Sequence, residues 1–161
     1  MLRKINLIYE RKWIYMLKES LMNDLKDAMR EKDTIKKNAV QMVRAGILKF
    51  EKDNQVEADD NKILEIIAKE VKIRNDSLPD FEKAGRDDLI EQTKGEIEIL
   101  AKYLPKQLTK EELTSKVKEI IEKTGATSIK DMGKVMKTAK EEIGTAADGK
   151  AINEVVKELL N

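Results

Sequence analysis

The chain has no cysteine and no histidine. These two absences remove thiol nucleophiles, Ser-His and Cys-His pairs, cysteine or histidine zinc sites and the usual proton shuttle near neutral pH. Most enzyme chemistries are disfavoured on that ground alone, and neither a metal nor a cofactor is expected. With only two prolines, helices have few forced breaks. The seven glycines are scattered and form no phosphate loop of the Walker or dinucleotide kind. No run approaches the roughly 20 apolar residues of a membrane span, so no membrane partner is expected. Without disulfides or a secretion signal, a cytoplasmic location is the simplest expectation.

What is present suits helices with one buried face. Hydrophobic residues make up 40% of the 161 and charged residues 39%, with a bias toward Lys, Glu, Leu and Ile. The expected fold class is all-α, in a length that fits one domain or two small ones. The net charge of +1 conceals an uneven distribution. Residues 1–15 carry Arg3, Lys4, Arg11 and Lys12 against Glu10; residues 16–105 hold 17 basic and 20 acidic groups; residues 106–161 hold 11 and 10. No global excess advertises a nucleic-acid binder, so any such surface must be local.

Residues 1–15, MLRKINLIYERKWIY, precede a second methionine from which a regular helical pattern begins. They fail as a signal peptide, because Glu10-Arg11-Lys12 interrupts a short apolar run and no small-residue cleavage site follows. They read as an N-terminal extension or a helix that docks on the body, with an interfacial basic helix as the lesser alternative. From Met16, Leu17, Leu21, Leu25 and Ala28 or Met29 predict one helix. Asp33 or Thr34 caps a second, burying Ile35, Ala39, Met42, Val43, Ile47 and Phe50. Glu51 to Asp60 reads as a loop. A third helix opens with Ile63, Ile66, Ile67 and Val71 and ends at Gly85, with Pro79 expected to kink or restart it. Asp87 or Asp88 caps a fourth, burying Leu89 or Ile90, Thr93, Ile97, Leu100 and Leu104, with Gly95 inside it at a cost of up to about 1 kcal/mol.

Pro105 in YLPKQLT forbids the helix from continuing and sets the expected domain boundary, giving residues 16–104 and 105–161. Thr109 to Glu112 is a capping box for a fifth helix with Leu113, Val117 and Ile120/Ile121, closed by Gly125. Ser128 to Asp131 caps a sixth that ends near Gly144. Asp148 caps a seventh that buries Ile152, Val155, Val156 and Leu159. The expected architecture is an N-terminal domain of about four helices and a C-terminal three-helix bundle.

The stretch IKDMGKVMK is the candidate binding surface. With Ile129 at zero and 100° per residue, Met132, Met136, Ala139 and Ile143 fall near about 280 to 340°, an apolar stripe. Lys130, Lys134, Lys137 and Lys140 fall between about 20 and 140°, and Gly133 lies at about 40° on the border. In one account the lysines are a solvated face and Gly133 lets a neighbouring helix approach. In the other, glycine lowers the relief of the lysine face so that a phosphate backbone can approach, recognised by charge and shape without base stacking. Adjacent carboxylates such as Asp59/Asp60 and Asp87/Asp88 sit at helix starts and read as capping groups.

FEKAGRDDL (residues 81–89), YLPKQLTKEEL (residues 103–113), DMGKVMK (residues 131–137) and ADGKAINEVVKELL (residues 147–160) together resemble the GatB/YqeY family, in order across residues 16–161. Residues 1–15 stand outside the pattern, and Pro79 falls where the family suggests an uninterrupted helix. The resemblance implies an all-helical fold in either of two settings. YqeY-like proteins stand alone; the other members form the C-terminal tail of the B subunit of glutamine-dependent aspartyl/glutamyl-tRNA amidotransferase. There the tail helps to hold tRNA while other domains and subunits do the chemistry. Gly133 and Lys134, with Gly149 and Lys150, would form the characteristic surface, extended by Lys130, Lys137 and Lys140. The implied function is a non-catalytic, tRNA-associated module. The alternatives are an adaptor docking on an amidotransferase or aminoacyl-tRNA synthetase, and participation in transamidation with partner subunits. The inherited label of a carbon-nitrogen ligase with glutamine as amido-N-donor would not describe catalysis by this chain alone.

Overall fold

A computed structural model describes residues 16–161, so the expectations placed on residues 1–15 lie outside it. All regular structure among the described residues is helical. Contacts between Cα atoms divide the chain into two compact units, Met1–Tyr103 and Leu104–Asn161.

The N-terminal unit holds α1 (Met16–Glu31), α2 (Thr34–Asn54), α3 (Asp60–Lys83) and α4 (Asp87–Ala101). Helix α1 buries Leu21, Leu25 and Ala28, a spacing of four and three that lines one face. Asp33 both closes α1 and opens α2. Its N–H donates to the Ala28 carbonyl at 2.9 Å, across a left-handed Lys32, and its carboxylate accepts from the Lys36 N–H at 2.9 Å. Helix α2 buries Ala39, Val40, Val43 and Ile47. Met42, expected inside, is 53% exposed, because the buried stripe is centred between Val40 and Val43 and leaves Met42 beyond its edge.

The loop expected from Glu51 to Asp60 is shorter, residues 55–59: residues 51–54 form the last turn of α2, which ends at Asn54 with Gln55 left-handed. The polar residues there are anchored within the unit. The Glu51 carboxylate accepts from Lys18 Nζ at 2.7 Å and from the Ala58 N–H at 3.0 Å, which holds it below the ordinary carboxylate pKa. Asp59 caps α3 by accepting from the Lys62 N–H at 2.8 Å. Asp60 accepts from the Leu17 N–H at 3.1 Å; burial pushes its carboxyl upward, with the neighbouring Asp59 charge adding to the effect.

Pro79 neither ends nor restarts α3, which runs on to Lys83. A proline removes one intrahelical donor, and here the helix end is closed by Ala84 N–H to Asp80 O and Arg86 N–H to Phe81 O, both at 3.0 Å. Neither Asp87 nor Asp88 caps α4: both lie in its first turn, and Arg86 holds the cap position without a side-chain bond. Arg86 grips Asp88 at 2.9 and 2.7 Å. Helix α4 buries Thr93, Glu96 and Leu100.

Glu96 belongs to a buried ionic cluster that hydrophobic periodicity does not show. Arg74 of α3 donates to Glu96 at 2.7 Å and to Glu70 at 2.6 Å, with side chains only 10%, 11% and 17% exposed. Gln92 donates to the other Glu96 oxygen at 3.0 Å. Burial would lower the Arg74 pKa, but the two carboxylates raise it overall. Tyr103 OH donates to Asp24, whose carboxylate also pairs with Lys36 at 3.0 Å. This contact fastens the end of the unit to α1 and α2.

The C-terminal unit holds α5 (Lys110–Thr124), a 3-10 turn (Ile129–Asp131), α6 (Met132–Ile143), a second 3-10 turn (Gly144–Ala146) and α7 (Gly149–Leu160). The capping box is present: Thr109 N–H reaches Glu112 at 2.9 Å and Glu112 N–H reaches Thr109 Oγ1 at 3.2 Å. Gly125 ends α5 at φ 66°, the left-handed conformation that favours glycine. The core joins Leu113, Val117 and Ile120 of α5, Val135, Ala139 and Ile143 of α6, and Ile152, Val155, Val156 and Leu160 of α7. Each large aliphatic there contributes about 1.5–3 kcal/mol on burial. Leu159, expected in this core, packs only at its edge, with Leu160 inside.

Candidate nucleic-acid interface

The expected capping box of Ser128 and Asp131 is present, but it opens a 3-10 turn that leads directly into α6. Asp131 accepts from the Thr127 N–H at 2.9 Å and the Ser128 N–H at 3.2 Å, which holds its carboxyl below the ordinary range and tightens this turn into 3-10 geometry. Lys130 therefore precedes α6 and is out of register with the lysines that follow. Met132 and Met136, expected as core, are only half-buried, while Val135 is fully buried. The apolar face of α6 is Val135, Ala139 and Ile143, centred at about 280° in the angular frame above.

Lys134, Lys137 and Lys140 are all exposed on the opposite side of α6, where their angles fan over about 20 to 140°. They are not equivalent. Lys134 Nζ donates to the Thr124 carbonyl at 2.7 Å, placing a cation at the negative end of α5. Lys134 is thus a helix-end contact. Lys130, Lys137, Lys140 and Lys150 are exposed and pair with no carboxylate among the described residues. Glu142 instead serves α5: it pairs with Lys123 and, at 3.9 Å, with Lys116, and Lys123 lowers its pKa. Glu141 falls near about 120° and brings one negative charge to the lysine face.

The two glycines separate the competing accounts. A Cβ at Gly133 or Gly149 would meet nothing within 4 Å, and neither residue is left-handed. Gly133 is therefore no packing glycine, and the close helix approach envisaged for it does not occur. Gly133 is the second residue of α6 and Gly149 the first of α7, each followed by a lysine. Helix α6 spans about 18 Å, with one Gly-Lys pair in its first turn and the other beyond its end, so the two pairs do not converge in one pocket. Among the described residues no group of three or more carboxylates is placed to hold a metal ion, and no helix is long and apolar enough to cross a membrane.

A family profile described as Yqey-like protein matches residues 18–160. The chain belongs to the YqeY-like family. This YqeY-like chain is 40% identical over 91 residues to Altered inheritance of mitochondria protein 41, mitochondrial, of Candida glabrata, a match covering 53% of this chain and 48% of that protein. The protein of the same name in Pyrenophora tritici-repentis is 27% identical over 145 residues, 87% of this chain and 78% of the relative. The Lachancea thermotolerans protein is 36% identical over 86 residues, with 53% and 46% covered. The matches thus span about half the length of the first and third of these relatives. The cytoplasmic expectation does not stand, since all three relatives are named mitochondrial proteins. The sequence argument failed because lacking disulfides and a secretion signal separates the secretory route from the rest of the cell and does not distinguish one reducing compartment from another.

Proposed function

We propose that this YqeY-like chain is a non-catalytic module that holds a structured RNA, tRNA above all, by its phosphate backbone. Its role would then resemble that expected of an amidotransferase tail, with transamidation chemistry left to partner proteins. One observation carries the reading: two helix starts bear a glycine that neither packing nor backbone conformation requires, each next to a lysine. A side chain at either position would stand between the helix and an approaching backbone. Lys130, Lys137, Lys140 and Lys150 supply charge that forms no ion pair with a described carboxylate. Residues 104–161 contain no aromatic, which among the described residues of this unit favours recognition of shape and phosphate over base stacking. The proposal does not depend on compartment, because mitochondria also contain tRNA.

The test is anisotropy of labelled total tRNA across a salt series, comparing wild type with Lys130→Glu/Lys137→Glu/Lys140→Glu. Lys134 is left intact because it supports α5. Three or four phosphate contacts give a log-log slope of about −2 to −4, and the variant should lose both affinity and slope while keeping its helicity. Equal binding by the variant, or none by wild type, sinks the reading.

A further inference from the structure

A groove of about 300 Å³ opens in the C-terminal unit between the entrance of α5 and one face of α7. Leu108, Leu113, Ala147, Ala151 and Val155 make its apolar lining. Small side chains at Ala147 and Ala151 leave the recess that larger ones would fill. Leu113 and Val155 are core residues, so the floor is rigid. Leu108 is fixed by its N–H donating to the Ala146 carbonyl at 2.8 Å. Among the described residues, Asp148, Glu154 and Glu158 line the groove with Lys110 as the single cation. Glu154 and Glu158 are four residues apart on α7 and so share a face. Both are exposed, and neither pairs with a described cation.

We infer that this groove docks a basic amphipathic helix from a protein partner. An apolar anchor enters the recess over Ala151, and arginines or lysines three or four residues apart meet Glu154 and Glu158. Charge complementarity selects this occupant, because the rim repels a polyanion; the groove is therefore separate from the lysine face of α6. The lysine-bearing α6 of a second copy is a poor occupant, since Val135, Ala139 and Ile143 are already spent in its own core.

The test uses the full chain and two fluorescein-labelled synthetic helices with leucines at i, i+3, i+4 and i+7, one with arginines at the intervening positions and the other with glutamates. The arginine peptide should bind saturably and at least about ten-fold tighter than its glutamate counterpart. Glu154→Lys/Glu158→Lys, which alters exposed positions only, should weaken it about ten-fold or more, and Ala151→Trp should block it without changing charge. Amide shifts on titration should centre on Leu108, Ala147 and Ala151. Lys137→Glu/Lys140→Glu should leave peptide binding unchanged, and Glu154→Lys/Glu158→Lys should retain tRNA binding, so the two surfaces fail independently. Equal affinity for both peptides, no binding, shifts centred elsewhere, or indifference to both groove variants overturns the inference. So does a concentration-dependent dimer in sedimentation that Ala151→Trp dissolves, which would assign the groove to a second copy.

Discussion

In the N-terminal unit a Cβ at Gly46 would stand 2.9 Å from Ile66 Cγ2, and one at Gly95 would stand 3.3 Å from Ile35 Cγ2, whereas in the C-terminal unit a Cβ at Gly133 or Gly149 meets nothing. The same residue type in the same secondary structure thus answers two different demands. Charge follows a parallel division. The N-terminal unit buries Glu96 against Arg74, while the polar groups that pair within the C-terminal unit do so near its surface and its core cluster is wholly apolar. At Gly46, Gly95 and the Arg74 cluster, glycine and charge are packing devices; at Gly133, Gly149, Lys130, Lys137, Lys140 and Lys150 they are left over once packing is satisfied. That remainder makes the C-terminal surface the candidate for recognition.

The largest expected effect breaks the buried cluster. Arg74→Met strands two carboxylates and should cost about 3–5 kcal/mol in urea unfolding. The same measurement should recover much of the loss when Glu70→Gln and Glu96→Gln are added. Next, Gly46→Val should cost about 2 kcal/mol by overpacking against Ile66. Gly133→Ala should have the opposite sign, stabilising by about 0.5–1 kcal/mol through helix propensity, while lowering tRNA affinity in the anisotropy assay. If Gly133→Ala instead destabilises, the contrast between the units is wrong.

Lys134→Met should cost about 0.3–1 kcal/mol by removing the cation at the end of α5. The smallest effect concerns acid stability. Burial opposes ionisation of Asp24, but Tyr103 OH and Lys36 outweigh it and hold its carboxyl below the ordinary value of 3.8. The folded state therefore binds that proton less readily than the unfolded chain. Its contribution is complete above pH 3.8 and is lost as pH falls through the folded value. Asp24→Asn should flatten that limb of the stability profile, as followed by circular dichroism.

Local signals in the sequence held at several helix ends, though not at Asp87 and Asp88. The Asp33 cap, the Thr109–Glu112 box and the Gly125 terminus each depend on residues within a turn of one another, and each is where the pattern puts it. What escaped depends on distant partners. The burial of Glu96 requires Arg74, 22 residues away. The Lys134 bond requires the end of α5, ten residues away, and no periodicity announces either. The choice of Val40 over Met42 turns on where α1 and its neighbours press on α2. The last turn of α2 reads as a loop in sequence because the partners of Glu51, Lys18 and Ala58, are not adjacent to it in the chain. For the candidate surface, the lysine periodicity of α6 was visible. The diversion of Lys134, the displacement of Lys130 and the empty space at Gly133 were not.

The bond from Leu108 N–H to the Ala146 carbonyl also bears on how the chain can be dissected. Gln107 reinforces it by donating to the Thr145 carbonyl at 2.9 Å and to Pro105 at 3.0 Å. The strand of residues before α5 thereby acts as a clasp on the bend between α6 and α7. A truncated piece that begins at Lys110 keeps all three helices yet discards the clasp, whereas one that begins at Leu104 retains it. The shortest piece worth expressing alone is therefore set by the segment ahead of the helices, six residues upstream of where the helical text begins.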